Sequence, residues 1–349
     1  MKVNEPLFSD MPESYSPVRP MASDRELTLL GETLPKEVFL GTSSWNFSGW
    51  RGLVYSETSE ERRLANEGLA AYSAYPIFRT VGIDRSFYLP VKETQLKRYA
   101  EAVPDVFRFC VKAPQTVCDP VIRDRFGRMQ KENPYYLDFD CLKETFLEPV
   151  CAGLKDRLGP IVLEFPPIPM RFLGDLDAKH RAIETLTRFL GDLPKEKDGK
   201  RLCYMVEMRT RAIYTPRFID ALRETGVRLS LGVHHALPPI GQQILALRRF
   251  DAPEVKSGPW NLKGDVLVRW SLSTFGTYAQ LKKEWAPFHT IQSPDIVTRE
   301  SIAWILALAK RSNVKSYALA NNKAEGCAPL TMRAIAKSVI EKLKKNDGC

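Results

Sequence analysis

Seven side chains able to do ionic or acid–base chemistry recur at one kind of place. Asp84, Lys112, Glu164, Glu207, Arg209, His234 and Arg269 each stand at or near the end of a short run rich in β-branched and aromatic residues. Carboxylates and imidazole can exchange protons. Lysine holds an anion as a point charge and arginine by a two-pronged contact. Glu207 is therefore the acid/base candidate, with Asp84 and Glu164 as further carboxylates. Lys112, Arg209 and Arg269 are the anion-binding candidates, with His234 beside them. The same carboxylates and imidazole are hard-metal donors, so a divalent cation activating water on a phosphoester is a second, less favoured chemistry. Lysine at such a place can also condense with a carbonyl group, although an ion pair is its plainer role.

The elements that would gather these residues are legible from period-two alternation. "VFRFCVKA" (106–113) sets Phe107, Phe109 and Val111 against Arg108, Cys110 and Lys112. "LCYMVEMR" (202–209) sets Tyr204, Val206 and Met208 against Cys203, Met205, Glu207 and Arg209 on the same plan. The runs at 77–84, 160–166, 227–234 and 265–272 repeat it. One face is large and apolar; the other begins small and ends polar or charged. Seven charges on one inferred face imply either a functional site or a self-satisfied ion-pair network, for example Lys112 with Glu207 and Arg209 with Glu164. Cys110 and Cys203 fall lower on that face, as filler.

Runs at 37–42 and 314–321 bring the total to eight, and amphipathic segments alternate with them. "TPRFIDALRETG" is fully punctuated, with Thr215 as N-cap, Pro216 in the first turn and Gly226 at the end. The pattern predicts a (β/α)8 TIM-type barrel over 37–345, with an irregular N-terminal extension over 1–36 that is disordered or draped on the body. A doubly wound open sheet competes, but no glycine-rich phosphate loop follows any run. The strand ends would converge at the C-terminal mouth of the barrel, where this fold places its active sites.

Two loops would border that mouth. "GTSSWNFSGWRG" (41–52) carries Trp45, Phe47, Trp50 and Arg51, either as an aromatic roof stacking on a ligand or as a hydrophobic plug. "NNKAEGCAPLT" (321–331) follows the last run and offers Asn321 and Asn322.

Several stretches, in order, resemble the YecE-like family, a domain of unknown function. They are "GTSSWNFSGWRG", "FRTVGIDRSFYLP", "PDVFRFCVKAP", "GPIVLEFPP", "YMVEMR", "VRWS" and "ALANNKAEGCAP", spanning about 38 to 340. The resemblance implies a TIM-type barrel and no settled reaction. Lys112, Glu207, Arg209 and Arg269 match the family pattern. Gly82 stands where that pattern usually has glutamate, Asp84 where it has asparagine, Glu164 where it has glutamine, Ser271 where it has histidine and Ser44 where it has glycine.

Bulk properties set the remaining bounds. The 349 residues carry a net charge of +9, which favours anionic partners: a small anionic or phosphorylated ligand first, nucleic acid second. Nucleic acid would use Trp45, Trp50 and the basic segment "RDRFGRMQK". Seven cysteines, an odd number with no CxxC pair, point away from zinc ribbons and disulfide frameworks. No apolar run has membrane-spanning length, and the start has no signal-peptide pattern, so a cytoplasmic location with no membrane partner is expected. Oligomeric state and cofactor are left open by the sequence.

Overall fold

The computed structural model describes residues 17–124 and 126–346. Every alternating run becomes a strand: β1 (Val38–Thr42), β2 (Phe78–Ile83), β3 (Arg108–Lys112), β4 (Leu158–Phe165), β5 (Tyr204–Met208), β6 (Arg228–Leu229), β7 (Leu231–Val233), β8 (Val266–Trp270) and β9 (Ser316–Ala320). They form one parallel sheet in the order β6-β5-β4-β3-β2-β1-β9-β8-β7. β6 and β7 are parted only by Ser230. Leu229 pairs with Val206 of β5 and Leu231 with Val268 of β8, so the sheet closes through a single stretch of chain. The result is the expected barrel of eight chain segments, ringed by helices.

Parity sorts the side chains as alternation requires. Phe107, Phe109, Val111, Ile161, Leu163 and Val206 pack outward into the large core beneath the helices. Phe39, Cys110, Val162, Met205, Leu267, Tyr317 and Leu319 form a separate, smaller cluster inside the ring. Phe39 stacks on Tyr317 at 4.7 Å near the N-terminal ends of β1 and β9. Burial pushes the Cys110 and Cys203 thiols up to about 12, in keeping with filler.

The helix Pro216–Thr225 has the expected ends: Thr215 Oγ1 accepts from Phe218 N at 3.3 Å, and Gly226 takes φ 72°. Two helices of more than two turns were not foreseen. Arg25–Thr33 lies within the extension, capped by Asp24 and anchored through buried Leu27, Leu30 and Leu34. Arg79 binds its carboxyl end, donating to Gly31 O at 2.9 Å and Leu34 O at 3.0 Å. Residues 17–36 therefore drape on the body, while 1–16 lie outside the described residues. The second is Ile296–Arg311, which forms the helical crossover between β8 and β9. The helix read from "YAQLKKEW" (Tyr278–Trp285) is an addition beside it. Between β3 and β4 the long connection holds an antiparallel hairpin, Val121–Arg123 with Met129–Glu132.

Candidate functional site

Parallel strands in register deliver their C-terminal side chains to one level. Glu164 pairs with Glu207 across β4 and β5, and Lys112 lies beside Val162 of β4. Gly232 of β7 pairs with Arg269 of β8 at this level. A Cβ on Gly232 would stand 3.8 Å from Glu207 Cδ and collide with Leu237 at 2.5 Å. Leu237 fills the space beside Gly232, so a glycine lets it pack against the strand there.

Six of the seven expected residues meet there in one network. Arg269 Nη1 donates to Glu207 Oε2 at 2.6 Å and Glu164 Oε2 at 2.9 Å, and its Nη2 takes both oxygens of Asp84 at 2.9–3.0 Å. Arg209 reaches Glu207 Oε1 through Nε at 2.8 Å and Nη2 at 2.7 Å, and Glu164 Oε2 through Nη2 at 2.9 Å. Lys112 Nζ sits 2.7 Å from Glu164 Oε2 and 3.9 Å from the centre of the Phe87 ring. All three cations thus meet Glu164 at one oxygen. The pairing differs from the simplest expectation. Lys112 takes Glu164, on the neighbouring strand, because Glu207 lies a further strand away.

Three cations and three carboxylates share this volume, and their mutual attraction outweighs desolvation. Burial alone would raise the Glu164 carboxyl, yet Lys112, Arg209 and Arg269 together hold it well below the usual carboxylate range. Burial likewise works against Arg209 and Arg269, but the surrounding carboxylates raise both. His234 stands apart. Burial, then the Arg209 charge, lowers its imidazole to about 4. Its Nδ1 accepts from Ala236 N at 3.1 Å, and its ring lies 4.1 Å from that of His235.

The network opens to a cleft at Glu164 and Arg209, and Asp84 borders a smaller cavity beside Ser43 and Trp45. Glu164 and Arg209 line that cleft, of ≈ 600 Å³, together with Tyr88, Gln115, Arg123 and Pro166. The Arg209 side chain is 17% exposed and that of Asp84 32%; the other four members are nearly sealed. A further cavity of ≈ 390 Å³ opens among Arg108, Lys155, Lys197 and Lys315, at the N-terminal ends of the strands, and shares no lining residue with the cleft.

The opening loop corrects the ligand-stacking reading of its tryptophans. Trp45 and Trp50 are 4% and 0% exposed. Trp45 Nε1 donates to Leu64 O at 3.0 Å, and Trp50 Nε1 to Asn322 Oδ1 at 3.2 Å. Trp45 meets Tyr99 edge-to-face, Trp50 lies against Phe47 and stacks on Tyr72, and with both rings spent on packing the loop is a plug. They give nucleic acid no stacking surface. Arg51 is exposed on that loop. Asn322 is also buried: its Oδ1 caps the last helix through Ala328 N at 2.9 Å. The metal chemistry finds little support, because Asp84, Glu164 and Glu207 converge on the Arg269 guanidinium. Among the described residues no group of three or more His, Cys, Asp or Glu side chains is arranged to hold a metal ion.

One residue was missed. Lys323, in the same loop as Asn321 and Asn322, is 3% exposed. Its Nζ lies 3.3 Å from Asn321 Oδ1, 4.2 Å from the Tyr278 ring centre and 5.2 Å from that of Phe288. Its sequence neighbours gave no sign of this, since both rings come from a segment some forty residues upstream.

Among the described residues no helix is long and apolar enough to cross a membrane. No curated protein matches the chain. Solved structures do, among them two DUF72 family proteins. That of Thermotoga maritima MSB8 shares 17% identity over 87% of this chain and 99% of its own, with a TM-score of 0.54. That of Enterococcus faecalis V583 shares 15% over 86% and 95%, with a TM-score of 0.52. At that identity the likeness speaks for the fold alone. The family pattern described as "Protein of unknown function DUF72", the family the sequence resembles under its YecE-like name, matches residues 39–347, and the chain belongs to that family.

Proposed function

We propose that the protein is an enzyme acting on a small anionic ligand in the cleft at the C-terminal mouth. One observation carries this reading: a guanidinium fixed by two buried carboxylates, Arg209, lines that cleft beside Glu164. Nε and Nη2 of Arg209 are spent on Glu207 and Glu164, which leaves Nη1 to grip a carboxylate or phosphate. Six charges are a costly way to fill a barrel, since apolar side chains of the same volume pack there with no desolvation penalty. A cluster of this kind beside a cleft, at the end where barrels do chemistry, is better explained by a ligand than by stability.

Roles follow from what each group has left to offer. Glu207 has both oxygens on arginines, so it positions Arg209 and Arg269. Asp84 does the same for Arg269. Glu164, reached by all its cations through Oε2, presents Oε1 as a hydrogen-bond acceptor for the ligand. His234, kept neutral above about pH 4 by burial and by Arg209, lies outside the cleft lining and has no role in it.

The test is a thermal-shift screen of orthophosphate, glycerol phosphates and di- and tricarboxylates at fixed ionic strength. At least one anion should raise the melting temperature of the wild type, and Arg209→Ala should abolish the rise. Absence of any shift, or an equal shift in Arg209→Ala, rejects the reading.

A further inference from the structure

We propose that Lys323 is a nucleophilic amine that condenses with the aldehyde or ketone group of a small anionic substrate at the barrel mouth. The proposal rests on the anion-handling reading of the mouth and adds a substrate class to it.

The amine is buried without an opposite charge. Among the described residues no carboxylate lies within ion-pair distance of Nζ; its neighbours are two aromatic rings and the Asn321 amide oxygen. Lys112, the other buried lysine of the mouth, has Glu164 at 2.7 Å. An ammonium sealed from water without a carboxylate sheds its proton more readily, and a neutral amine is the nucleophilic form. The charges acting on it agree. Burial, then Lys282, lowers Lys323 to about 8, and Glu61 opposes them only weakly.

The loop that carries the amine is anchored on its C-terminal side. Asn322 Oδ1 caps the following helix, and Glu325 accepts from Asp295 N at 2.6 Å and Arg299 Nε at 2.9 Å. Gly326 turns at φ 115°, where a Cβ would stand 2.6 Å from Thr290 O. A buried amine with no carboxylate partner, held on an anchored loop, suits a reactive group. Tyr278 links the amine to the network: its ring covers Nζ, and its hydroxyl, raised first by burial, also feels the Asp84 charge. Tyr278 is 57% exposed, so it can swing aside to admit a ligand.

The step is balanced without a cofactor. The Nζ lone pair attacks the carbonyl carbon, and the C=O π pair moves to oxygen to give a carbinolamine. Its oxygen then leaves as water with the two amine hydrogens, and a C=N bond forms.

The experiment uses the wild-type chain with glyoxylate and cyanoborohydride near pH 7.5, followed by peptide mapping. Lys323 should be alkylated about tenfold or more faster than the exposed Lys36 and Lys283, because a far larger share of its amine is unprotonated. Its rate against pH should bend near 8, where that of the surface lysines is still rising. Lys323 lagging behind the surface lysines overturns the proposal, whatever the anion screen shows. Fast labelling that persists unchanged in Arg209→Ala supports the amine and removes Arg209 as the anion grip.

Discussion

Two groups at the same end of the barrel meet the cost of burial in opposite ways. Arg269 is sealed from water among Asp84, Glu164 and Glu207, which raise its proton affinity above its ordinary range. Lys323 is as deeply sealed, but by rings and one amide, and its proton affinity falls. Burial disfavours the charged form in both. Only the neighbours differ, and they decide whether the group is a fixed charge or a reactive amine. The paired network gives the mouth a rigid electrostatic frame, whereas the lone amine gives it a reagent.

Breaking the frame should have the largest effect. Arg269→Met removes the partner of three carboxylates and should cost about 3–5 kcal/mol in urea unfolding. Adding Glu207→Gln should recover part of that loss, because one uncompensated charge goes with it. A single variant as stable as the wild type would mean that the carboxylates are wet, and the contrast with Lys323 would collapse.

Relieving the unpaired amine should act in the opposite direction. Lys323→Met should stabilise the fold near neutral pH by about 1–3 kcal/mol. The folded amine titrates near 8 and the unfolded one near 10.5, so between those values the unfolded chain holds more protons. Wild-type stability should therefore rise with pH across that window, and the advantage of Lys323→Met should shrink to nothing above it. A constant difference from pH 7 to 11 would show that the amine keeps an ordinary affinity.

The smallest effect belongs to His234, which is half-buried beside Arg209. Its folded affinity lies near pH 4 and the unfolded one near 6.5, so stability should fall as pH drops from about 6.5 to 4. His234→Gln should flatten that part of the profile in thermal melts. An unchanged slope would assign acid sensitivity to other groups.

Legibility varied with how local the signal was. Strands such as 106–113 and 202–209 alternate cleanly, so their two faces, and the gathering of Lys112, Glu164, Glu207, Arg209 and Arg269, could be read in advance. The helix Ile296–Arg311 escaped because it packs apolar residues round most of its girth, among them Ile302, Ile305, Leu306 and Leu308, and shows little amphipathic contrast. The shorter helix Tyr278–Trp285 shows the stronger contrast. The tryptophans were ambiguous for a related reason. Composition showed aromatic surface in a loop, but Leu64 O and Asn322 Oδ1, which take their N–H groups, are distant in the chain.

Side-chain period and turn chemistry act over a few residues, so the sequence by itself determined the barrel, its eight segments and the convergence of charge at one mouth. Which charges are paired was decided only by tertiary structure. A pairing needs two atoms within about 4 Å, and register, strand order and loop closure set that distance. Lys112 beside Glu164, and Lys323 beside rings alone, are consequences of how the ring closes and where the Tyr278 and Phe288 segment folds over it.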